Sequence, residues 1–217
     1  MKSNQRWESP TLNLELYFCT EVLKLNSLHY GLWEPGAAAT DLADVRAAQA
    51  RYTQTLVDAI PEGVRRVLDV GCGVGDVAAE LTRRGYQVTA ISPDRNHARF
   101  FEGLPGDRVD FQNVRFEDFT SDQTFDLILM SESQGYFDAD TGLSQCRKYL
   151  RPGGYLFISG IFKTGYSAGF QGNLVEKAYV RRARTFGFEL TRREDITARV
   201  LPSGSSAART SSSRSSC

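Results

Sequence analysis

The residues with the clearest chemical potential stand in one short stretch, Val67-Leu68-Asp69-Val70-Gly71-Cys72-Gly73-Val74-Gly75. An acid lies two positions ahead of three alternating glycines, and the apolar run that carries it reads as a strand. Glycine accepts left-handed backbone angles and lets a ligand rest against bare main chain. A helix starting just beyond would turn unpaired amides toward a carboxylate or phosphate. A dinucleotide-binding turn would need G-x-G-x-x-G; counted from Gly71, its last position is Asp76, so that pattern fails. Further candidates lie at the ends of other apolar runs: Ser92 and Asp94, then Phe116 and Glu117, then Met130, Glu132 and Tyr136. A carboxylate such as Glu132 can take a proton from a reacting group, and a phenol such as Tyr136 can orient one.

These residues need elements to hold them. Leu12–Leu28 carries apolar residues at three- and four-residue spacing, which predicts a helical region broken at His29-Tyr30-Gly31-Leu32-Trp33. A second helix is expected from Asp41, a good N-cap, to Ile60, stopped by Pro61 and Gly63. No strand precedes it, so residues 1–60 form an N-terminal helical cap. Strands are then expected at Arg66–Val70, Gln87–Ser92, Val109–Phe111, Phe125–Met130, Tyr155–Phe162 and Phe188–Arg192. Helices fall after the glycine turn through Arg84, and at Asp94–Gly103, Thr141–Leu150 and Leu174–Phe186. Strands alternating with helices predict an α/β, doubly wound, mostly parallel sheet over 61–201, with ligands above the strands' carboxyl ends.

The acid followed by G-x-G-x-G resembles the first motif of class I S-adenosylmethionine-dependent methyltransferases, whose fold is Rossmann-like. Phe125–Met130 is similar to their fourth strand, and Leu150-Arg151-Pro152-Gly153-Gly154 resembles the L-[KR]-P-G-G motif before the fifth. His29-Tyr30-Gly31-Leu32-Trp33 resembles a segment of small-molecule members of the cyclopropane-fatty-acid-synthase-like, tocopherol and sterol types. Gln49 also falls where this group often has a glutamine. The resemblance implies a methyl transfer from S-adenosylmethionine, leaving S-adenosylhomocysteine, to an oxygen, nitrogen or carbon acceptor by in-line displacement. It further implies that Asp69, Gly71, Cys72, Gly73 and Gly75 hold the methionine end of the cofactor. Ser92 and Asp94 would hold the ribose, and Phe116, Glu117 and Met130 would lie near the adenine and the methyl group. Tyr30 and Trp33 would close over the sulfonium, whose charge suits aromatic faces; packing of the cap is their other reading. Glu132 and Tyr136 would serve the acceptor as base and orienting group. Relatives place an antiparallel seventh strand between the fifth and sixth. Glu194–Pro202 resembles the stretch after their sixth strand, and then the sequence turns to SGSSAARTSSSRSSC, so the seventh strand is expected to be missing. A shifted reading frame or truncated gene would explain that change; a cofactor-binding but inactive homologue is the accompanying alternative reading. A nicotinamide-dependent oxidoreductase ranks behind both.

Bulk composition agrees. The 217 residues suit one domain, and 26 Lys+Arg against 26 Asp+Glu argue against a nucleic-acid partner. Met1–Pro10 is polar, without the apolar core of a secretory signal, and no run reaches the roughly 20 apolar residues of a membrane span. Four dispersed cysteines and two histidines form no zinc pattern. Together these predict a cytoplasmic, metal-free protein. Residues 202–217, poor in large apolar side chains, are expected to be disordered.

Overall fold

The structure, a computed structural model, describes residues 13–37, 41–163 and 175–200. Five strands, β1 (Arg66–Val70), β2 (Gln87–Ser92), β3 (Val109–Asn113), β4 (Phe125–Ser131) and β5 (Leu150–Ser159), form one sheet in the order β3-β2-β1-β4-β5. Every pairing is parallel. The chain leaves β1 in one direction to build β2 and β3 and returns to its other side for β4. The crevice at that reversal, above the carboxyl ends of β1 and β4, is where such sheets bind ligands. Four residues of β1 (Val67–Val70) are buried, as a central parallel strand covered on both faces requires.

The cap begins with α1 (Leu14–Tyr17), which continues as a single wider turn over Phe18–Val22. Its apolar residues split. Leu16 faces the protein, while Leu14, Phe18 and Val22 are exposed. The long helix α2 (Leu42–Asp58) starts on a capping box between Asp41 and Asp44 and packs Ala48, Tyr52, Leu56 and Val57 inward. Helices α3 (Asp76–Arg83), α4 (Ala139–Tyr149) and α5 (Glu176–Thr185) complete the layers. One apolar cluster joins α2, α3 and one sheet face through Leu56, Leu81, Val67 and Leu127. The other joins Leu68, Ile128, Met130, Phe119 and Tyr149 beneath α4.

The helix expected at Asp94–Gly103 is a 3-10 segment over Arg95–Phe100, and two strand expectations change. β5 starts at Leu150 rather than Tyr155: Leu150 pairs with Phe125, and the ladder then shifts register across Pro152-Gly153-Gly154 before Tyr155 meets Leu127. The predicted sixth strand at Phe188–Arg192 does not form; those residues are irregular. Its alternation is real, but a strand exists only through a partner, and the resemblance gives that strand the seventh as its sole neighbour. Among the described residues no strand lies on the outer edge of β5, so the sixth has nothing to pair with. The Ser-rich stretch and residues 1–12 fall outside the described residues.

Candidate active site

All three glycines of the turn adopt left-handed angles, with φ of +77° at Gly71, +52° at Gly73 and +78° at Gly75. They differ in what surrounds them. A Cβ on Gly71 would lie 2.5 Å from Ser133 Cβ, and one on Gly75 would lie 2.9 Å from the Phe101 ring. A Cβ on Gly73 would meet only Leu28 Cδ1, at 3.8 Å. Gly71 and Gly75 are thus glycine because the protein packs against them. Gly73 opens a bare backbone to the crevice.

Asp69 lies beneath this turn. It is 1% exposed, and its Oδ2 has no hydrogen-bond partner among the described residues. Burial, reinforced by repulsion from Asp76 and opposed by attraction to His29, pushes its carboxyl up to about 7. An orphaned buried carboxylate is costly. Beside an open backbone cradle it is the partner a cationic ligand group needs. The amino-acid end of S-adenosylmethionine therefore fits these residues.

The segment of residues 27–33 runs from the start of α3, where His29 meets Asp76, to the end of β4, where Tyr30 meets Glu132. Gln49 on α2 donates to the carbonyls of Ser27 (3.1 Å) and His29 (2.8 Å), and Arg51 Nε donates to the Leu32 carbonyl. Gly31 is glycine because Ala48 would lie 2.6 Å from its Cβ. Tyr30 N–H donates to Glu132 Oε1 at 3.1 Å, so the candidate base also anchors this segment. Glu132 follows β4 with φ +57°, a strained angle for a side chain-bearing residue. The Ser133 hydroxyl behind it donates to the Val70 carbonyl, tying the ends of β4 and β1 together. Burial raises the Glu132 carboxyl above the usual range, against the Tyr30 amide and His29, which lower it. That direction suits proton acceptance. Tyr136 stands 84% exposed at the rim.

The other sequence candidates divide by burial. Asp94 is at the crevice edge, where its Oδ2 accepts from Asn13 Nδ2 and its Oδ1 caps Asn96. Ser92, by contrast, is 2% exposed, and its hydroxyl is engaged by the His97 ring and the Asp94 amide. The side chains of Cys72, Phe116 and Met130 are buried in the core. Glu117 is paired with Arg115. Trp33 is 7% exposed, and its main-chain N–H donates to the Arg199 carbonyl; its ring packs inward, whereas Tyr30 is exposed. Sequence reasoning missed Asp76, Ser133, Tyr52 and Leu28. Asp76 registered only as the residue that spoils a dinucleotide pattern. Its partners come from distant segments.

A doubly wound sheet with a bare glycine turn over a buried acid defines a cofactor-binding α/β protein, and its acid–Gly-x-Gly-x-Gly sequence sets it apart from dinucleotide binders. The sequence pattern of the methyltransferase-domain family matches residues 42–194. The ubiquinone biosynthesis O-methyltransferase of Xylella fastidiosa is 33% identical over 172 residues, covering 76% of this chain and 68% of that protein. The mitochondrial enzyme of that name from Bos taurus is 31% identical over 148 residues, 63% of this chain and 40% of its own. Among solved structures, the geranyl diphosphate C-methyltransferase of Streptomyces coelicolor A3(2), in complex with Mg2+, geranyl diphosphate and S-adenosylhomocysteine, superposes with a TM-score of 0.73. The match covers 90% of this chain and 81% of that one at 19% identity. The [4+2]-cyclase SpnF gives 0.69 at 25% identity, over 86% and 74%. The chain belongs to the class I S-adenosylmethionine-dependent methyltransferases. It transfers a methyl group from that cofactor to a small-molecule acceptor. Among the described residues no helix is long and apolar enough to cross a membrane.

Proposed function

We propose that the Gly71–Gly75 turn and Asp69 hold the methionine end of S-adenosylmethionine and that Glu132 serves the acceptor as base. The observation that carries this is the pairing of an open left-handed glycine, Gly73, with the buried Asp69 Oδ2, which has no partner among the described residues. The cofactor, when bound, supplies an electrophilic methyl on a sulfonium for in-line displacement. What the chain supplies is alignment, exclusion of water and one proton acceptor. Asp94 is the polar group best placed for ribose hydroxyls, with Ser92 fixing the Asp94 amide behind it. Tyr30 covers the crevice, and Glu132, its carboxyl raised by burial, takes the proton released by an oxygen acceptor. Tyr136, at the rim, orients that acceptor.

The relatives named for ubiquinone biosynthesis support a phenolic or isoprenoid-like acceptor and an oxygen nucleophile. Residues 1–60 act as cap and lid, 61–201 as the catalytic core, and the setting is cytoplasmic. Isothermal titration with S-adenosylhomocysteine tests this reading. Wild type should bind, and Gly73→Ala should weaken binding by more than about tenfold, since one methyl would fill the cradle. Unchanged affinity in Gly73→Ala would place the ligand elsewhere.

A further inference from the structure

His29 is a buried group that methyl transfer itself does not use, and both of its ring nitrogens face acceptors. Nδ1 lies 2.8 Å from the Tyr30 carbonyl, and Nε2 lies 2.7 Å from Asp76 Oδ2. The same Asp76 oxygen accepts from the Ser27 hydroxyl and the Thr53 hydroxyl, each at 2.8 Å. Thr53 spends its only proton on Asp76, so at 3.0 Å from Nε2 it offers the ring a lone pair as well. A carbonyl, a carboxylate and a committed hydroxyl all require a donor. A neutral imidazole has one N–H, and an imidazolium has two. The hydrogen-bond geometry therefore calls for a charged ring.

This charged pair joins two elements of the site. His29 belongs to the lid; Asp76 is the first residue of α3, directly after Gly75. One residue further along the lid, the Tyr30 amide is held by Glu132 from the end of β4. The two carboxylates thus grip adjacent lid residues from opposite walls of the crevice. The side chains of His29 and Asp76 are 7% and 17% exposed, so solvent screens the pair weakly.

We propose that His29 is a positioning residue which, as an imidazolium clasped to Asp76, holds the lid closed, so that retention of the cofactor weakens when the ring loses its proton. This rests on the reading that the cofactor lies at the Gly71–Gly75 turn. The groups facing His29 are Asp76 from α3, Glu132 from β4, Asp69 from β1, and Thr53 and Tyr52 from α2; the Tyr52 ring centroid is 4.5 Å away. Burial by itself disfavours the charged ring. The Asp76 contact and charge, the Tyr30 carbonyl and Glu132 outweigh it and lift His29 above its ordinary value. The clasp is then complete just below the ordinary imidazole range and fails as pH climbs through that lifted value.

The test uses the full chain and starts without cofactor. The protein has two histidines, so their NMR titrations are separable, with His29→Gln assigning the signals. His29 should titrate above an ordinary imidazole, whereas burial puts His97 below one. Asp76→Asn should bring His29 down. Hydrogen-exchange protection of the Tyr30 amide should drop, by about tenfold, as pH rises from about 6.5 to 8.5 in wild type and stay flat in His29→Gln. Affinity for S-adenosylhomocysteine should lose a similar factor over that range in wild type relative to His29→Gln. Thr53→Val, which keeps the shape and removes one donor to Asp76, should raise the His29 value, since Asp76 then leans more on the ring. A His29 titration unmoved by Asp76→Asn, or Tyr30 protection independent of pH, overturns the clasp. Failure to bind S-adenosylhomocysteine at any pH would instead strike the cofactor site, because the histidine and amide readouts decide the clasp without ligand.

Discussion

Replacing Asp69 by Asn exposes the tension at the centre of this site. In the folded chain the carboxyl is buried and its Oδ2 is unpartnered, and burial with repulsion from Asp76 lifts it from 3.8 to about 7. The unfolded chain releases the same proton near pH 3.9 or so. Between roughly pH 4 and 7 the folded state therefore binds more protons than the unfolded state, and stability falls as pH rises through that window. At about 1.4 kcal/mol per pH unit the penalty grows by about 3 kcal/mol between about pH 4.5 and 8. Asn cannot ionise. Whatever its amide gains or loses in hydrogen bonds is independent of pH, so the quantity to read is the change with pH of the stability difference between variant and wild type. Urea unfolding followed by circular dichroism should show Asp69→Asn gaining about 3 kcal/mol on wild type between those pH values. Its affinity for S-adenosylhomocysteine at pH 8 should fall at least about tenfold, because a neutral amide cannot answer a cationic ammonium. Parallel stability curves for the two proteins would refute the argument: Asp69 would then have a partner, and the site would have no orphan charge to offer a ligand.

Three other outcomes follow from the same geometry. Gly73→Ala should cost only about 1–2 kcal/mol in urea unfolding, the price of φ +52° with no clash beyond van der Waals contact with Leu28 Cδ1, whereas Gly71→Ala, driven into Ser133 at 2.5 Å, should cost about 3 kcal/mol. Glu132→Gln keeps an oxygen for the Tyr30 amide and removes the proton acceptor, so kcat for any acceptor turned over should fall about 100-fold while S-adenosylhomocysteine affinity by calorimetry holds. Asp126 accepts the Arg65 and Arg66 amides at 2.7 and 2.8 Å and pairs with Arg151, joining β1, β4 and β5. Asp126→Ala should cost about 2 kcal/mol at neutral pH. Burial raises this carboxyl but the two amides and Arg151 lower it further, so its contribution is present above the ordinary carboxylate range and fades in acid. Unfolding measured at about pH 7 and pH 3 should show the variant's deficit shrinking.

Much of this protein is written locally in its chain. The ends of β1 and β2 follow from apolar runs bounded by Arg66, Gly71, Gln87 and Pro93, and Asp41 marks the start of α2 because a cap is a bond to amides two and three residues away. The glycine turn is legible for the same reason: left-handed angles at 71, 73 and 75 belong to the residues themselves. What distinguishes the three glycines is set by Ser133, Phe101 and Leu28, and no reading of the turn alone could rank them. Likewise Ser92 and Asp94 look equally able to hold a ribose in sequence, and only packing turns the Ser92 hydroxyl inward to His97. The sixth strand failed because a strand is a property of two segments, and its pattern says nothing about whether a neighbour is there. His29 and Asp76 are separated by 47 positions and meet through one 2.7 Å contact. Sequence determined where bare backbone and a buried acid would lie, since those depend on residue type and short spacing. Tertiary structure decided which charges that acid meets, because electrostatics depends on distance through space, and the chain sets those distances only when it folds.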